Sequence, residues 1–338
     1  MKRMGIIGAG SIAVTLCDTV NKMRADGHRE VELYAVAARD LGRAEKFAQD
    51  NGVAHAYGSY AELCADPKVD FVYIATPHNF HYEQAKLALE GGKHVLCEKA
   101  FTRNHYEAER LCALAKDKGL LLTEAIWTRY QPMRKIINDK IFSGVVGEPY
   151  LISANLCYAI SHNARLVDPN LAGGALLDVG VYTLNFADMI FGHPKEAFGH
   201  CLLSEHGVDL TDSITLTYPQ GHRLASLYAS ALAIGDREGV ISCSEGFIKV
   251  ENINNPQKIS IYNKNYELIE ETCCPPQYTG YEYELYETVS SIEQGLLECP
   301  SMPHADTLYM MGLMDRLRAS FGVIYPGERE EREARNLA

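Results

Sequence analysis

The first 124 residues alternate short apolar runs with longer stretches of helical periodicity. The apolar runs are Met4–Ile7, Leu33–Ala37, Phe71–Ala75, His94–Cys97 and Leu120–Thr123. Each run is too short and too continuously apolar for a strand with one wet face, so each predicts a strand that is buried on both faces. Helices are predicted to begin near Ser11, Gly42, Asn79 and Asn104. This rhythm predicts an α/β domain with a doubly wound parallel sheet over residues 1–124.

After Trp127 the pattern changes to alternation with a period of two, as in Ser213–Tyr218. Similar runs occur at Pro149–Tyr158, Arg223–Ser230, Gly239–Cys243, Phe247–Val250, Lys258–Tyr262 and Tyr266–Glu271. Helical stretches are Met133–Phe142, Gly174–Phe191, Glu282–Leu297 and Ala305–Phe321. Many short alternating strands predict a mainly antiparallel, open sheet, and therefore an α+β domain over residues 125–327. A solvated charged tail is predicted at 328–338.

The net charge, the cysteine spacing and the length of the apolar runs argue against several classes of function. The 338 residues correspond to about two domains, and 32 Lys and Arg against 44 Asp and Glu give a net charge of −12. That balance lacks the basic surface that binding to DNA or anionic lipid requires. The ten cysteines include no C-x-x-C pair, and neither a signal peptide nor an apolar run of membrane-spanning length is present. We therefore expect a cytoplasmic protein with free thiols that binds neither nucleic acid nor membrane.

A glycine-rich turn joins the first predicted strand to the first predicted helix. Its sequence, Gly8-Ala9-Gly10-Ser11-Ile12-Ala13, matches G-x-G-x-x-A in the position where dinucleotide-binding domains of the Rossmann type carry it. The first glycine permits the tight turn and the second lets the backbone approach a pyrophosphate, while the helix N-terminus attracts the negative charge. We expect Gly8, Gly10, Ser11 and Ile12 to bind a dinucleotide.

The end of the second strand indicates which dinucleotide is bound. An acidic side chain there holds the ribose 2′-hydroxyl of NAD, whereas arginine accommodates the 2′-phosphate of NADP. Arg39 and Arg43 lie one helical turn apart, and two guanidinium groups facing one dianion form a strong phosphate site. Asp40 is interpreted as the cap of the next helix. NADP is therefore favoured and NAD is the alternative, because both arginines could also be merely solvated.

The segment that ends the third strand reads Ala-Thr-Pro-His-Asn-Phe-His and lies at the sheet edge where open α/β sheets bind ligands. We expect Thr76, Pro77, Asn79 and His81 to contact the cofactor, although Thr76 and Asn79 could also cap the following helix. His78 and His81 lack a Cys or acidic partner at ligand spacing, so no metal site is predicted.

Two further segments carry candidate proton-transfer groups. Glu98-Lys99 ends a buried strand at the same edge, and a partly buried lysine releases its proton more readily than an exposed one. Asp178 and Tyr182 follow a double glycine and lie four residues apart on one predicted helical face. Oxidation of an alcohol needs a group that accepts the hydroxyl proton, a role that suits Tyr182 assisted by Lys99. The alternatives are a surface lysine, a helix N-terminal charge and a core aromatic side chain.

Together these motifs resemble the Gfo/Idh/MocA oxidoreductases from residue 4 to about 325. The motifs that carry the resemblance are GAGSIA, AARDLGRAEKFA, ATPHNFH, CEKA, TEAIWTRY and GGALLDVGVYTLN. Within that family they are most similar to the branch of diol and aldose dehydrogenases. In one position the chain departs from the family motif EKP, because Ala100 stands where proline is expected. A proline restricts the residue before it, so we expect Lys99 to be held less rigidly here.

The resemblance also implies roles for individual residues. It implies that Arg39 and Arg43 bind the 2′-phosphate, that Glu98 lies at the cofactor, and that Lys99 and Tyr182 transfer the proton. It further implies that Asp178 orients the substrate, that Trp127 forms a wall of the nicotinamide pocket, and that Arg129 contacts cofactor or substrate. A homodimer formed through the open face of the C-terminal sheet is implied as well.

The sequence therefore predicts an NADP-preferring dehydrogenase. We expect it to transfer hydride between the nicotinamide and a secondary or hemiacetal alcohol in a small aldose, polyol or cyclic trans-diol. Two alternatives remain open at this point. One is a cofactor-bound sensor without turnover, and the other is an enzyme that shuttles hydride between two sugars through tightly bound NADP.

Overall fold

The computed structural model describes residues 1–219, 222–328 and 330. The chain divides into two compact units. The first unit consists of Met1–Tyr130 together with Pro276–Leu308, and the second consists of Gln131–Pro275 together with the residues from Tyr309 onward. The predicted boundary near residue 125 lies close to Tyr130. By contrast, Pro276–Leu308, which the sequence pattern assigned to the second domain, belongs to the first unit.

The strands are β1 Lys2–Ile7, β2 Val31–Ala37, β3 His55–Tyr57, β4 Phe71–Ile74, β5 His94–Glu98, β6 Leu122–Ala125, β7 Pro149–Cys157, β8 Glu196–Leu203, β9 Asp209–Thr217, β10 Leu224–Ser230, β11 Gly239–Cys243, β12 Gly246–Glu251, β13 Lys258–Asn263 and β14 Leu268–Cys273. The helices are α1 Ser11–Ala25, α2 Leu41–Asn51, α3 Tyr60–Ala65, α4 His81–Glu90, α5 His105–Lys118, α6 Pro132–Phe142, α7 Ala164–Val167, α8 Val181–Phe191, α9 Glu282–Glu293 and α10 His304–Phe321. Short 3₁₀ turns occupy His78–Phe80, Trp127–Arg129 and Pro169–Leu171, and a π-helical segment occupies Leu176–Gly180.

The first unit is built on a six-stranded parallel sheet in the order β3-β2-β1-β4-β5-β6. The strand order reverses between β1 and β4, so the carboxyl ends of these two strands form the switch point at which such sheets bind ligands. Strands β4 and β6 consist entirely of buried residues. Helices pack on the sheet, as the continuous apolar runs predicted. The predicted doubly wound parallel sheet is confirmed.

Pro276–Leu308 joins the first unit through specific contacts. The Thr279 hydroxyl lies 2.7 Å from the Thr19 hydroxyl, and the Tyr278 hydroxyl donates to Asp26 Oδ2 at 2.9 Å. The Leu122 amide donates to the Leu297 carbonyl oxygen at 3.0 Å. The segment therefore packs on helix α1 and extends the hydrogen bonding at the edge strand β6.

The second unit contains an eight-stranded sheet in the order β14-β13-β12-β11-β7-β10-β9-β8. All neighbouring strands are antiparallel except β7 and β10, which are parallel. The predicted α+β domain with a mainly antiparallel sheet is confirmed. The π-helical segment and α8 pack on β7, β9 and β10 and cover one face of the sheet. Residues on the opposite face of β8 and β10 are exposed, as an open sheet requires.

One helical stretch, Pro169–Phe191, is long and apolar enough to cross a membrane by length and composition alone. Most of it, 89% of the apolar window, is buried within the structure. Core helices meet the same criterion when they are buried, so this finding is weak support for a membrane span.

The predicted charged tail at 328–338 lies outside the described residues except for Glu328 and Glu330. Glu328 differs from the prediction of a solvated residue, because it is buried. Its two carboxylate oxygens accept hydrogen bonds from Arg318 at 3.0 and 2.9 Å. Arg318 is itself buried, and a buried guanidinium requires a counter-charge, so Glu328 belongs to the folded unit.

Candidate active site

The glycine-rich turn lies at the switch point of the parallel sheet. Gly8 has a φ of +104°, in the region that favours glycine. A Cβ at Gly8 would lie 2.8 Å from the Ala75 carbonyl oxygen and 2.9 Å from Thr76 Cγ2. Only glycine therefore permits the chain to pass this close to the end of β4. At Gly10, by contrast, the nearest protein atom to such a Cβ is 3.8 Å away, which leaves the backbone open on the ligand side.

Helix α1 begins with hydrogen-bonding groups that suit an anion. Gly10 is its N-cap residue and provides no side-chain cap, and the first turn contains no acidic residue. Helices α2 and α5, by comparison, are capped by the side chains of Asp40 and Asn104. Uncapped N–H groups at the positive end of a helix dipole favour a phosphate group. Ser11 is exposed in this first turn, and Ile12 is half-buried.

The residues predicted to select the cofactor lie at the start of α2. Asp40 Oδ1 accepts a hydrogen bond from the Arg43 amide at 2.8 Å, which confirms the interpretation of Asp40 as a helix cap. Arg43 Nη2 donates to the Ala9 carbonyl oxygen at 3.0 Å. This contact holds the guanidinium beside the glycine-rich turn. Arg39 is exposed and lies just before the cap.

The segment after β4 contains an unpartnered buried atom. Thr76 Oγ1 donates to Gln84 Oε1 at 2.5 Å, and Pro77 begins the 3₁₀ turn that contains Asn79. Asn79 Oδ1 is buried and has no hydrogen-bond partner among the described residues. Native proteins satisfy nearly all such atoms, so this orphan acceptor fits a site that is completed by a bound hydroxyl group such as a ribose hydroxyl. The residues at this edge of the sheet therefore fit a dinucleotide.

His81 differs from its predicted role as a cofactor ligand. It is fully buried, with Nδ1 2.9 Å from the Ala100 carbonyl oxygen and Nε2 2.8 Å from the Thr76 carbonyl oxygen. Burial lowers the pKa of His81. Because both ring nitrogens face backbone carbonyls, His81 ties the loop after β4 to the loop after β5 and leaves no nitrogen for a ligand.

The segment that carries Lys99 is anchored without proline. The Lys99–Ala100 peptide bond is cis, Ala100 is fully buried, and the carbonyl oxygen of Ala100 faces His81. Lys99 itself is half-buried at the end of β5. Ala100 is anchored by burial and by the His81 contact, and the expectation that Lys99 is held less rigidly than before a proline stays a prediction.

Glu98 belongs to a cluster of acidic and phenolic side chains in the first unit. The Tyr73 hydroxyl donates to Glu98 Oε1 at 2.5 Å, and the Lys99 amide donates to Oε2 at 3.2 Å. Burial and the charge of Glu98 raise the pKa of Glu284 well above its usual range. Glu284 is fully buried and its carboxyl oxygens lack partners among the described residues, and both conditions favour its protonated form. The two hydrogen bonds fix the carboxyl group of Glu98 at the strand end that precedes Lys99.

Trp127 and Arg129 lie inside the first unit. The indole of Trp127 stacks on the Tyr281 ring, with centroids 4.1 Å apart and planes 10° apart. Arg129 is only 1% exposed, and its Nη1 donates to Asp306 Oδ2 at 2.7 Å. Burial raises the pKa of Glu124 to about 7, while the charge of Arg129 opposes this shift. Arg129 is thus a buried ion-pair partner of Asp306, and its contact with cofactor or substrate stays a prediction.

Asp178 and Tyr182 both lie in the second unit, on the helical segment that covers the eight-stranded sheet. Asp178 belongs to the π-helical segment and Tyr182 to the first turn of α8. The π-helix is wider than the α-helix assumed from the four-residue spacing, and such segments occur frequently at functional sites. Asp178 is buried and accepts hydrogen bonds from Arg165 Nη1 at 2.8 Å and Nη2 at 3.4 Å. This two-point ion pair fixes the plane of the carboxylate.

Sequence reasoning missed several of these residues. Arg165, Gln84 and Tyr73 carry no motif, and each acts through a contact with a residue distant in sequence or on another element. Glu284 carries no motif either. Glu284 has one detectable signal, since an acidic residue within an amphipathic helical pattern is unexpected on the buried face. Among residues 1–219, 222–328 and 330, no group of three or more His, Cys, Asp and Glu side chains could hold a metal ion.

Comparison with known proteins identifies the family. Residues 2–126 match the model of the oxidoreductase family with an NAD-binding Rossmann fold, and residues 130–249 match the GFO/IDH/MocA C-terminal domain. The chain belongs to the Gfo/Idh/MocA oxidoreductase family, as its motifs predicted. It is therefore an NAD(P)-dependent oxidoreductase of a family whose chemistry is hydride transfer.

Individual relatives match over nearly the whole chain. Trans-1,2-dihydrobenzene-1,2-diol dehydrogenase of Mus musculus is 34% identical over 97% of this chain and 99% of its own length. The enzyme of the same name from Danio rerio is 34% identical over 96% and 98%, and that from Homo sapiens is 31% identical over 97% and 99%.

Solved structures share the fold. KijD10, a 3-ketoreductase from Actinomadura kijaniata in complex with NADP and TDP-benzene, is 25% identical with a TM-score of 0.85 over 94% of this chain and 97% of its own. A levoglucosan dehydrogenase in complex with NADH and levoglucosan is 18% identical with a TM-score of 0.83 over 95% and 97%, which shows the fold alone. A nicotinamide cofactor is thus common to these neighbours, while the type of cofactor differs.

Proposed function

We propose that this protein is an NADP-preferring dehydrogenase that oxidises a secondary or hemiacetal alcohol. The observation that carries the cofactor preference is the position of Arg43, whose guanidinium donates to the Ala9 carbonyl oxygen beside the glycine-rich turn. Asp40, the acidic residue at the end of β2, is engaged as the cap of α2. With its carboxylate used in this way, the ribose end of the site presents positive charge, which favours a 2′-phosphate.

The proposal assigns the remaining cofactor contacts to the switch point of the sheet. The first turn of α1, with Gly10, Ser11 and Ile12, would bind the pyrophosphate, because its N–H groups have no side-chain cap. Asn79 Oδ1, buried and unpartnered, would accept a hydrogen bond from a ribose hydroxyl. Both contacts would use polar atoms that lack a hydrogen-bond partner among the described residues, namely a side-chain cap for α1 and a donor for Asn79.

Proton transfer is assigned to Lys99 and Tyr182, with Asp178 orienting the substrate. When bound, the nicotinamide cofactor accepts the hydride from the carbinol carbon. The hydroxyl proton would pass to Tyr182 in its phenolate form, which becomes the neutral phenol, and the ammonium group of Lys99 would favour that phenolate by stabilising its negative charge. Arg165 holds the Asp178 carboxylate in one plane, which suits it to accept hydrogen bonds from a second hydroxyl of the substrate.

The relatives support the class of substrate. The curated proteins with 31–34% identity are dehydrogenases of a cyclic trans-diol, and they match over nearly the full length of this chain. The solved ketoreductase structures include variants in which one lysine or one tyrosine is replaced, the two residue types assigned here to proton transfer. We therefore propose a vicinal diol, including the cyclic trans-diols and the aldoses, as the substrate class.

The test is formation of reduced cofactor with a panel of cyclic trans-diols, aldoses and polyols, each assayed with NADP and with NAD. We expect turnover with at least one vicinal diol and a higher kcat/KM for NADP. Tight NADP binding without turnover on any alcohol would overturn the proposal in favour of a sensor. Cofactor that survives dialysis and cycles only between two sugars would favour a sugar-to-sugar oxidoreductase.

Arginine variants test the cofactor preference directly. We expect Arg39→Ala and Arg43→Ala each to raise the KM for NADP by about tenfold or more while changing the KM for NAD much less, since a charge-assisted contact contributes about 1.5–3 kcal/mol. Lys46→Ala is the matched control, because it removes a positive charge from the same helix at an exposed ion pair with Asp50. Equal effects on both cofactors would show that the arginines do not recognise the phosphate.

A further inference from the structure

Two aspartates of strand β9, Asp209 and Asp212, lie buried in the second unit and have no part in the reaction described above. Residues three apart on a regular strand point to opposite faces. Here a bulge intervenes, because Leu203 pairs with Asp209 whereas Leu202 pairs with Thr211. The extra residue brings both carboxyl groups to the same side of the sheet, where each is fully buried.

The two carboxyl groups need a shared proton. They lie within hydrogen-bonding reach of each other, yet both oxygens of Asp212 and Oδ1 of Asp209 lack a donor among the described residues. Burial and the charge of Asp209 raise the pKa of Asp212 to about 9. Asp212 therefore keeps its proton at neutral pH and can donate it to Asp209, as expected for two carboxyl groups in one buried site.

The charged and titratable groups around the two aspartates agree with a protonated Asp212. Arg318 acts on Asp209 through its charge, but its guanidinium donates to Glu328 and to Asp315. Among the described residues, Tyr325 and Cys201 are the other titratable groups that face the pair, and burial, followed by the charges of the aspartates, raises the pKa of each. Both are therefore neutral at pH 7, and neither supplies a positive charge to the pair.

Asp209 binds the turn that precedes the π-helical segment. Its Oδ2 accepts a hydrogen bond from the Leu176 amide at 2.5 Å. Gly174 lies against the same carboxylate with a φ of +125°, and a Cβ at this position would collide with Asp209 Oδ1. Gly174 of the GGALLD motif is thus required by the approach of the turn to a buried carboxylate, whereas a Cβ at Gly173 would lie 2.7 Å from the Leu166 carbonyl oxygen.

The other side of the turn is held by the chain that follows α10. The Tyr325 hydroxyl donates to the Gly173 carbonyl oxygen at 2.6 Å. The Arg318 guanidinium lies over the Tyr325 ring at 4.4 Å. The turn Gly173–Leu176 is therefore fixed at both ends by buried polar groups, and Asp178 and Tyr182 follow directly on the helical segment that it begins.

We propose that Asp209 and Asp212 form a buried acid pair that shares one proton, and that this pair consists of positioning residues for the turn Gly173–Leu176. Through that turn the pair sets the placement of Asp178 and Tyr182. The catalytic consequence rests on the proposed function, whereas the existence of the proton-sharing pair does not.

The pair is tested without any assay of activity. Because folding raises the pKa of Asp212 above its unfolded value of about 4, the stability that the proton provides is fully present below about pH 4 and is lost as pH rises toward about 9. Asp212→Asn donates the same hydrogen bond through its amide and does not titrate. We expect the melting temperature of wild type, relative to Asp212→Asn, to fall by about 5 °C between about pH 6 and about pH 8.

Asp50→Asn is the matched control, because Asp50 is an exposed aspartate whose replacement is expected to leave the wild-type pH dependence unchanged. If the melting temperatures of wild type and Asp212→Asn change by the same amount across this pH range, the acid pair is overturned.

The positioning role is tested by kinetics. We expect Asp212→Ala, which leaves the Asp209 carboxylate without its proton, to lower kcat about tenfold with little change in NADP affinity, and Asp212→Asn to restore kcat. Equal kcat in Asp212→Ala and wild type, or loss of kcat in both variants, would overturn the positioning role. If wild type has no dehydrogenase activity, both the proposed function and the positioning role are overturned. The pH dependence of the melting temperatures still tests whether the two aspartates share a proton.

Discussion

At the scale of single residues, buried charges in this chain meet partners that are remote in sequence. Arg129 pairs with Asp306, and the amine of Lys93 donates to the carbonyl oxygens of Asp66 and Val69 at 2.6 and 2.9 Å. A buried charge without such a partner is strongly destabilising. These contacts hold both side chains in place within the first unit, in which Lys99 lies half-buried at a strand end.

The proposed proton-transfer residues give the sharpest prediction at this scale. We expect Lys99→Ala and Tyr182→Phe each to reduce kcat by about 10²-fold or more, because general acid–base groups contribute on that scale. NADP affinity, measured by fluorescence titration, should change little in Tyr182→Phe. Lys135→Ala, at an exposed ion pair, is the control for loss of a lysine charge. Turnover at the wild-type rate in both variants would remove this mechanism while leaving the fold untouched.

The ion pair of Asp178 with Arg165 leads to a second prediction. We expect Arg165→Met to raise the KM for the alcohol by about tenfold, because the carboxylate loses the charge-assisted hydrogen bonds that fix its orientation. Steady-state kinetics at saturating NADP measure this effect. Arg165→Lys keeps the positive charge but not the two-point contact, so its KM for the alcohol should lie between those of wild type and Arg165→Met. An unchanged KM in Arg165→Met would mean that Asp178 does not hold the substrate.

The local sequence shows which residues could bind a ligand or transfer a proton, but it does not show which contacts their side chains make in the fold. The motifs locate Gly8, Asp40 and Lys99 because a backbone conformation, a helix start or a strand end determines their places. His81 was expected to bind cofactor, yet its nitrogens are used by carbonyls of two loops. These hydrogen bonds depend on the path of a loop that is distant in sequence, and the local sequence pattern does not predict that path.

At the scale of elements, the predictable strands are those whose burial leaves a hydrophobic signature. The five apolar runs of the first unit all correspond to strands, whereas β3 is a three-residue edge strand without a buried residue and gives no such signal. Strand β8 was missed for the same reason, because none of its residues is buried and its alternation is weak. The π-helical turn is likewise invisible, since all of its residues are buried and their pattern fits either helix type.

Helix caps allow a quantitative prediction for an element. The Asn104 side chain accepts a hydrogen bond from the Glu107 amide at 3.1 Å and caps α5. We expect Asn104→Ala to lower the free energy of unfolding by about 1 kcal/mol, measured by urea denaturation, while Asn104→Ser loses less because serine also caps. The kcat should be the same in all three proteins, and a stability of Asn104→Ala equal to wild type would show that the cap is not needed.

At the scale of the whole molecule, the open face of the second sheet displays aromatic side chains. Phe198 on β8 is 57% exposed, and Tyr228 on β10 is also exposed on the same face. Apolar side chains that cluster on an exposed sheet face favour association with another surface. We propose that this face joins two copies of the chain in a homodimer.

Substitution on this face tests the dimer. We expect wild type to have twice the mass of one chain by light scattering, and the double variant Phe198→Glu with Tyr228→Glu to have the mass of a single chain, because two carboxylates on each copy would face apolar surface. Tyr266→Glu places the same charge on an exposed turn and should leave the mass unchanged. A wild type that is a single chain at assay concentrations would contradict the prediction.

The first unit is assembled from two stretches of chain, Met1–Tyr130 and Pro276–Leu308, with most of the second unit inserted between them. During synthesis the ribosome therefore releases the dinucleotide-binding motif long before the last part of its own unit exists. A nascent chain that ends at Tyr130 lacks the helix that covers α1 and the hydrogen bonds that complete the edge of β6. Vectorial folding cannot finish this unit first, so cofactor affinity should emerge only after Leu308 has left the exit tunnel.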